Sequence, residues 1–271
     1  MKTFTSTRIC IKPQMSKNNP RFAGRVAIVT GASKGIGRSI ARAYADEGAK
    51  VALFARSKAE LKKLADEIHA AGGTALPIAG DVGRQGDVKR AVEATLKQFG
   101  RIDILVNDAG ILGSKKEIDE MSESDWDEVM STNVKGYFLF ARAVLPTMRK
   151  QKSGNIINIS SGAGERHDQL VSVRSVLYNL SKFAVEGLTY ATACRLKGTG
   201  VNMNAIKPGP IRTAFFDGVP EEEIQRISKA IGEFHEPVYV NKLAVYLGGL
   251  APGELNGASV DAAQWYKLSG Q

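Results

Sequence analysis

The feature that most constrains this chain is a glycine-rich turn set between an apolar strand and a helix. Residues 25–30 (RVAIVT) read as a buried strand, and Thr30-Gly31-Ala32-Ser33-Lys34-Gly35-Ile36-Gly37 comes directly after it. Gly31 permits a tight turn. Gly35 and Gly37 let a phosphate group and the sheet approach the helix closely, and the helix start offers unpaired N–H groups to that phosphate. Three glycines alone are weak evidence, because a structural turn uses them too. Their place between strand and helix favours nucleotide binding.

The rest of the chain repeats the same alternation. Further strands are expected at 51–55 (VALFA), 74–79, 104–106, 156–159, 201–206 and 258–260. Between the second and third, Ser57-Lys58-Ala59-Glu60 has capping-box spacing, and Leu61, Leu64, Ala65 and Ile68 mark one helical face. Val88, Val92, Leu96 and Phe99 mark the next helix. Trp126, Val129, Met130, Phe138, Ala141, Leu145 and Met148 predict one long helix. Strands alternating with helices imply a parallel sheet covered on both faces. The expected fold class is α/β: a single-domain Rossmann fold with a seven-stranded parallel sheet. With 43% hydrophobic residues, the chain can bury such a core. No repeat or Pro/Gly linker divides it, so residues 22–271 are expected to form one domain behind a basic tail, 1–21.

That tail carries Lys2, Arg8, Lys12 and Lys17 and no acid. It reads first as a disordered tail or as residues ahead of a start at Met15, with an organelle-targeting segment as the alternative. The expected location is therefore cytoplasmic, or organellar if the tail is an address. Cys10 and Cys194 suggest no disulfide framework, and His69, His167 and His235 are too scattered for zinc, so no metal is expected. The net charge of +9 forms no long run and no aromatic-interleaved patch, and no apolar run approaches a membrane span. Neither nucleic acid nor membrane is an expected partner. No acid precedes Asp46, whereas Lys34, Arg38 and Arg42 do, which suits an anionic ligand near the start of the fold.

The end of the second strand chooses the nucleotide. An NAD-binding protein of this fold usually places an acid there for the ribose 2′-hydroxyl. Here the sequence is Phe54-Ala55-Arg56-Ser57. Arg56 can fork onto a 2′-phosphate, and Lys34 adds a second cation, so NADP(H) is expected over NAD. The plainer reading of Arg56 is a solvated strand-end charge.

Tyr178-Asn179-Leu180-Ser181-Lys182 puts a phenol and an ammonium one helical turn apart, on one face. A free tyrosine titrates near ~10, and a neighbouring cation favours its phenolate. Such a tyrosine can act as the proton donor to a carbonyl. Ser160-Ser161 ends the fifth strand, at the carboxyl edge where α/β sheets bind ligands, and its hydroxyl can hold the substrate oxygen.

With these residues in order, the chain resembles the short-chain dehydrogenase/reductase family over roughly residues 22–262, in the manner of its NADP(H)-preferring carbonyl and 3-oxoacyl reductases. The 30–37 turn resembles its cofactor motif, Asp81-Val82 its adenine-contacting pair, and Asn107-Asp108-Ala109-Gly110 its Asn-Asn-Ala-Gly motif. Pro208-Gly209-Pro210-Ile211-Arg212-Thr213 resembles the segment that closes over the nicotinamide. Asn133, Ser161, Tyr178 and Lys182 match the catalytic tetrad. The resemblance implies hydride transfer between NADP(H) and a carbonyl or secondary alcohol. Tyr178 would supply the proton, Ser161 orient the oxygen, Lys182 hold the ribose and tune Tyr178, and Asn133 hold a relaying water. Gly31, Ser33, Lys34, Gly35, Ile36, Gly37, Arg56, Asp81, Val82, Asn107, Ala109, Gly110, Pro208, Gly209, Ile211 and Thr213 would contact the cofactor beside Tyr178 and Lys182. A homo-oligomer, dimer or tetramer, is also implied.

The chain departs from that pattern in three places. Asp108 replaces an asparagine; an ionised acid there accepts but does not donate a hydrogen bond. The segment from Ser161 to Tyr178 is long and holds Glu165-Arg166-His167-Asp168, either surface decoration or a contact to a polar substrate. Val260-Asp261-Ala262-Ala263 lacks the family's Asp-Gly-Gly, which bears on tetramer packing. Two other functions share the fold: a nucleotide sensor without turnover, and a non-redox dehydratase or epimerase. The substrate itself is not readable, its expected lining being residues 162–177 and 214–237.

Overall fold

The computed structural model describes residues 20–165 and 175–270. Residues 1–19 of the tail, and Arg166, His167 and Asp168, lie outside the described residues.

Seven strands form one parallel sheet in the order β3-β2-β1-β4-β5-β6-β7. They are β1 (Val26–Thr30), β2 (Lys50–Ala55), β3 (Thr74–Ala79), β4 (Ile104–Asn107), β5 (Gly154–Ile159), β6 (Val201–Lys207) and β7 (Ser259–Asp261). The helices are α1 (Gly35–Asp46), α2 (Lys58–Ala70), α3 (Gln85–Phe99), α4 (Glu123–Met130), α5 (Gly136–Gln151), α6 (Val176–Leu196), α7 (Glu221–Ile231), α8 (Asn241–Gly248) and α9 (Ala262–Ser269). The expected α/β single sheet with helices on both faces is what the chain forms.

The strands sort their side chains with period two, as a pleated sheet demands. Ala27 and Val29 of β1, Val51 and Leu53 of β2 and Ile104 and Val106 of β4 face a core shared with α1, α2 and α8. Ile28, Ala52, Phe54 and Leu105 face the opposite core, with α3, α5 and the end of α6. Because both faces are covered, these strands read as continuous apolar runs. Only β3, at an edge, tolerates a proline, Pro77.

Strand order reverses between β1 and β4, and such a switch point opens a crevice at the carboxyl ends of the strands. Asp103, nearly fully buried, fixes the opposite end of that pair. It accepts Val26 N–H at 2.9 Å and a two-pronged bond from Arg101, at 2.8 and 2.6 Å.

The expected single helix through 126–148 is instead α4, a π-helical turn (Ser131–Lys135) and α5 in succession. The wider turn shifts the helical phase. Val129, Ala141 and Met148 stay buried, but Trp126 and Phe138 are 46% and 45% exposed and leave the core face. Asn133 is a member of that π turn, and such turns recur at functional sites.

Candidate active site

A cleft of about 590 Å³ lies over the switch point, within the usual size range of ligand sites. Its lining runs from Lys34 and Arg56 at one end to Ser161, Tyr178 and Lys182 at the other.

The glycine turn is enforced by contact as well as by conformation. Gly31 has φ +68, and a side chain there would come within 2.9 Å of the Ala109 nitrogen. A Cβ on Gly37 would lie 2.7 Å from the Gly31 carbonyl. The helix after the turn is built to receive an anion. Lys34, its N-cap, makes no side-chain capping bond, and no acid occupies the first turn. By contrast, Ser57, Ser122 and Asp261 cap α2, α4 and α9 with side-chain oxygens. With no cap from Lys34 itself, the N–H groups of this turn other than that of Gly37, which Asp108 accepts, remain for a phosphate.

Lys34 and Arg56 are both exposed and both line this end of the cleft. Arg38 and Arg42, read from sequence as part of the same cationic patch, are employed elsewhere. Arg38 grips Glu67 of α2 at 2.8 and 2.6 Å, and Arg42 lies 3.8 Å from the same carboxylate. Their partner is a side chain rather than a ligand.

Asp81 and Val82 line the wall beyond β3, and Asp81 Oδ1 accepts Gly83 N–H at 2.9 Å. Ala109, Gly110, Pro208, Gly209, Ile211 and Thr213 line the cleft, as do Gly31, Ser33, Gly35 and Ile36. Gly37, Asn107 and Asn133 lie behind its surface. Asn107 is buried and donates to Asn158 Oδ1 at 2.9 Å, which holds β4 against β5. The Asn133 amide accepts from Ile111 N–H at 2.9 Å and donates to the Ile111 carbonyl at 2.9 Å and to Ser181 Oγ at 3.0 Å. It therefore ties the loop after β4 to the turn of α6 that carries Lys182.

At the far end, Tyr178 and Lys182 are 5% and 3% exposed, and both reach the cleft from α6. Lys182 Nζ donates to the Ile159 carbonyl at 2.8 Å. It sits 5.6 Å from the Tyr178 ring centre and 5.5 Å from that of Tyr137. Tyr137 shares the same carbonyl, its hydroxyl 3.0 Å away. Burial pushes the Tyr137 phenol well above its ordinary range, helped by Asp108 and Tyr178, so it stays neutral. Ser161 follows β5, and its Oγ accepts Ala163 N–H at 3.1 Å, which leaves the hydroxyl hydrogen to donate.

Asp108 is the residue whose place the sequence did not convey. Its Oδ2 accepts Gly37 N–H at 2.8 Å, and its own N–H donates to Thr30 Oγ1 at 3.0 Å. The carboxyl thus lies inside the glycine turn. Burial pushes it up to about 7, against the opposing pull of Lys182 and the Gly37 N–H. Phe215 and Phe216, just past the Pro208–Thr213 segment, were covered only by the broad range 214–237. Both line the cleft, and Phe215 meets the Tyr178 ring edge-on at 6.3 Å.

Comparison with known proteins identifies the family. The family model described as short chain dehydrogenase matches residues 25–224. The oxidoreductase UcpA of Salmonella typhimurium is 36% identical over 247 residues, covering 88% of this chain and 92% of its own. The 3-oxoacyl-[acyl-carrier-protein] reductase FabG of Thermotoga maritima is 34% identical over 229 residues, covering 84% and 91%. A solved structure from Beutenbergia cavernae, described as an NAD(P)-dependent gluconate 5-dehydrogenase with NADP bound at low occupancy, superposes with a TM-score of 0.80. It is 33% identical and covers 90% of this chain and 97% of its own.

Proposed function

Because this chain belongs to the short-chain dehydrogenase family, we propose that it reduces a carbonyl compound, or oxidises the corresponding alcohol, with NADP(H). The observation that carries this reading is one continuous cleft with a glycine-lined helix start at one end and Ser161, Tyr178 and Lys182 at the other.

The residues fit the dinucleotide. Side chains at Gly31 or Gly37 would clash with Ala109 or the Gly31 carbonyl, so this turn stays bare backbone, and two exposed cations, Lys34 and Arg56, line that end of the cleft. When bound, the cofactor supplies or accepts the hydride. The chain does the rest. Ser161 donates its hydroxyl hydrogen to the substrate oxygen, and Tyr178 delivers a proton to the same atom. Lys182 spends one N–H on Ile159 and keeps two for the ribose, while its charge stabilises the phenolate left on Tyr178. Asn133 keeps the lysine-bearing turn in register; a water relay through this corner is part of the proposal. The described substrate end is walled by Ile111, Ala214, Phe215 and Phe216, which favours a carbonyl with an apolar or aromatic flank. The buried Tyr178–Lys182 pair favours turnover over a nucleotide sensor. Following NADPH oxidation with a panel of ketones, aldehydes, sugars and acyl thioesters tests the reading, and no turnover across the panel would sink it.

Cofactor choice rests on Arg56. We expect NADPH to bind at least about tenfold tighter than NADH at fixed ionic strength, the value of one good charge-assisted contact. Arg56→Ala should weaken NADPH and leave NADH nearly unchanged. Equal affinities in the wild-type protein would remove the NADP(H) assignment.

Self-association belongs to the same proposal. Val176, Leu180, Phe183 and Tyr190 are exposed along one stripe of α6, and Phe138 of α5 is exposed as well. A second copy of the chain is the proposed cover for this stripe. Light scattering after size exclusion should give a dimer or tetramer, and a monomer at micromolar concentration would refute it.

A further inference from the structure

We propose that Asp108 links cofactor binding to proton uptake: its carboxylate and the cofactor's phosphates compete for the same helix end, so the complex holds Asp108 neutral. The inference rests on the nucleotide reading above and adds a property that reading does not require.

The geometry sets the competition. Asp108 Oδ2 takes the N–H of Gly37, in the first turn of α1, at 2.8 Å. A Cβ at Gly31 would stand 2.9 Å from that oxygen and one at Gly37 only 2.6 Å, so the carboxyl fills the concavity of the turn. Gly31, Ser33, Lys34, Gly35 and Ile36 line the cleft immediately in front of it, and so does Asp108 itself. A helix N-terminus carries about half a positive charge, which one carboxylate already satisfies. Phosphates arriving at the same turn bring more negative charge than that end can offset.

The groups facing Asp108 from every side are few. From α1 come the Gly37 N–H and the helix end. Lys182 comes from α6 and favours the charged form. Tyr137 from α5 faces the same carboxylate with Tyr178 of α6 beside it, and burial keeps the Tyr137 phenol neutral. Lys34 is exposed in front, while Arg38 is engaged by Glu67. Lys182 is therefore the one buried cation set against Asp108 among the described residues, and in the complex it must also serve the ribose. Like charges close together raise a carboxyl's affinity for its proton. A protonated Asp108 still accepts the Gly37 N–H through its carbonyl oxygen, so the turn keeps its shape. Asparagine at this position would do the same without a charge.

The direction of the pH effect is set by these charges. In the free protein the carboxyl titrates at about 7. Below that pH it is already neutral, and binding takes up no proton here. Above it, each binding event must draw a proton from solvent, and affinity falls by up to about tenfold per pH unit.

Dissociation constants for NADPH and NADH, measured by fluorescence titration from pH 6 to 9 at constant ionic strength, test this in the wild-type protein and in Asp108→Asn. The wild-type constants should rise by about tenfold between pH 7 and 8.5, while those of the variant change by less than about twofold once the cofactor's own titration is subtracted. NADH lacks the 2′-phosphate and so carries no such titration. Parallel slopes in the two proteins would overturn the proposal. Should the variant fail to fold, calorimetry on the wild-type protein decides, in two buffers of different ionisation enthalpy at pH 8. Uptake of about half a proton or more supports the linkage, and none refutes it. If neither nucleotide binds the wild-type protein at any pH, the nucleotide reading fails, a result distinct from binding without linkage.

Discussion

Replacing Tyr178 by phenylalanine should lower kcat by about 10²–10⁴-fold, the range that a positioned general acid contributes. NADPH affinity should stay within about twofold, because only a hydroxyl is lost. The ring keeps its surroundings: it is 5% exposed and packs edge-on against Phe215 at 6.3 Å. A phenylalanine ring makes that contact equally well. The fold and the apolar wall of the cleft therefore survive, and the loss isolates proton transfer. The assay is NADPH oxidation at saturating cofactor on the best substrate found, with thermal unfolding as a check on integrity. Turnover within about tenfold of wild type would remove Tyr178 from the mechanism and most of the proposed function with it.

The strands were legible because both faces of the sheet are buried. Nearly unbroken runs such as Val26–Thr30 and 51–55 leave little choice of element, and the expected strands lie within about two residues of the observed ones. The glycine turn was legible for a related reason: its residues act through backbone, which the sequence states directly. What failed was anything set by a distant partner or a change of helical phase. The π turn at Ser131–Lys135 leaves the apolar residues in sequence but rotates α5 relative to α4, so Phe138 points outward. Arg38 and Arg42 looked like ligand-binding cations until α2 brought Glu67 to them. Asp108 was visible as a departure from the family pattern. Its bond to Gly37 joins two loops that no periodicity connects, and its depth in the turn is a property of their packing. Asn133 was picked out by its motif, yet its grip on Ile111 and Ser181 arises only where α4, α5 and α6 meet.

Lys182 makes the second large demand, because one ammonium serves three neighbours. Lys182→Met keeps the apolar stem and much of the volume, and the Ile159 carbonyl retains its bond from Tyr137, so the protein should fold. Two quantities should then move together, unlike in Tyr178→Phe. NADPH should bind about tenfold or more weakly, because the ribose loses a charged donor, and kcat should fall by about 10²-fold or more, because the phenolate loses its cation. A third effect separates this lysine from a merely structural one. With the opposing charge gone, the Asp108 carboxyl holds its proton to higher pH than about 7. The pH at which cofactor affinity begins to fall should therefore move upward in Lys182→Met, even as the affinity at low pH drops. Combining Lys182→Met with Asp108→Asn should abolish that inflection and leave the weaker binding in place. Stopped-flow single turnovers and binding titrations across pH supply both readouts. A variant with wild-type affinity and rate would show that the ammonium only fills space between Tyr137 and Tyr178.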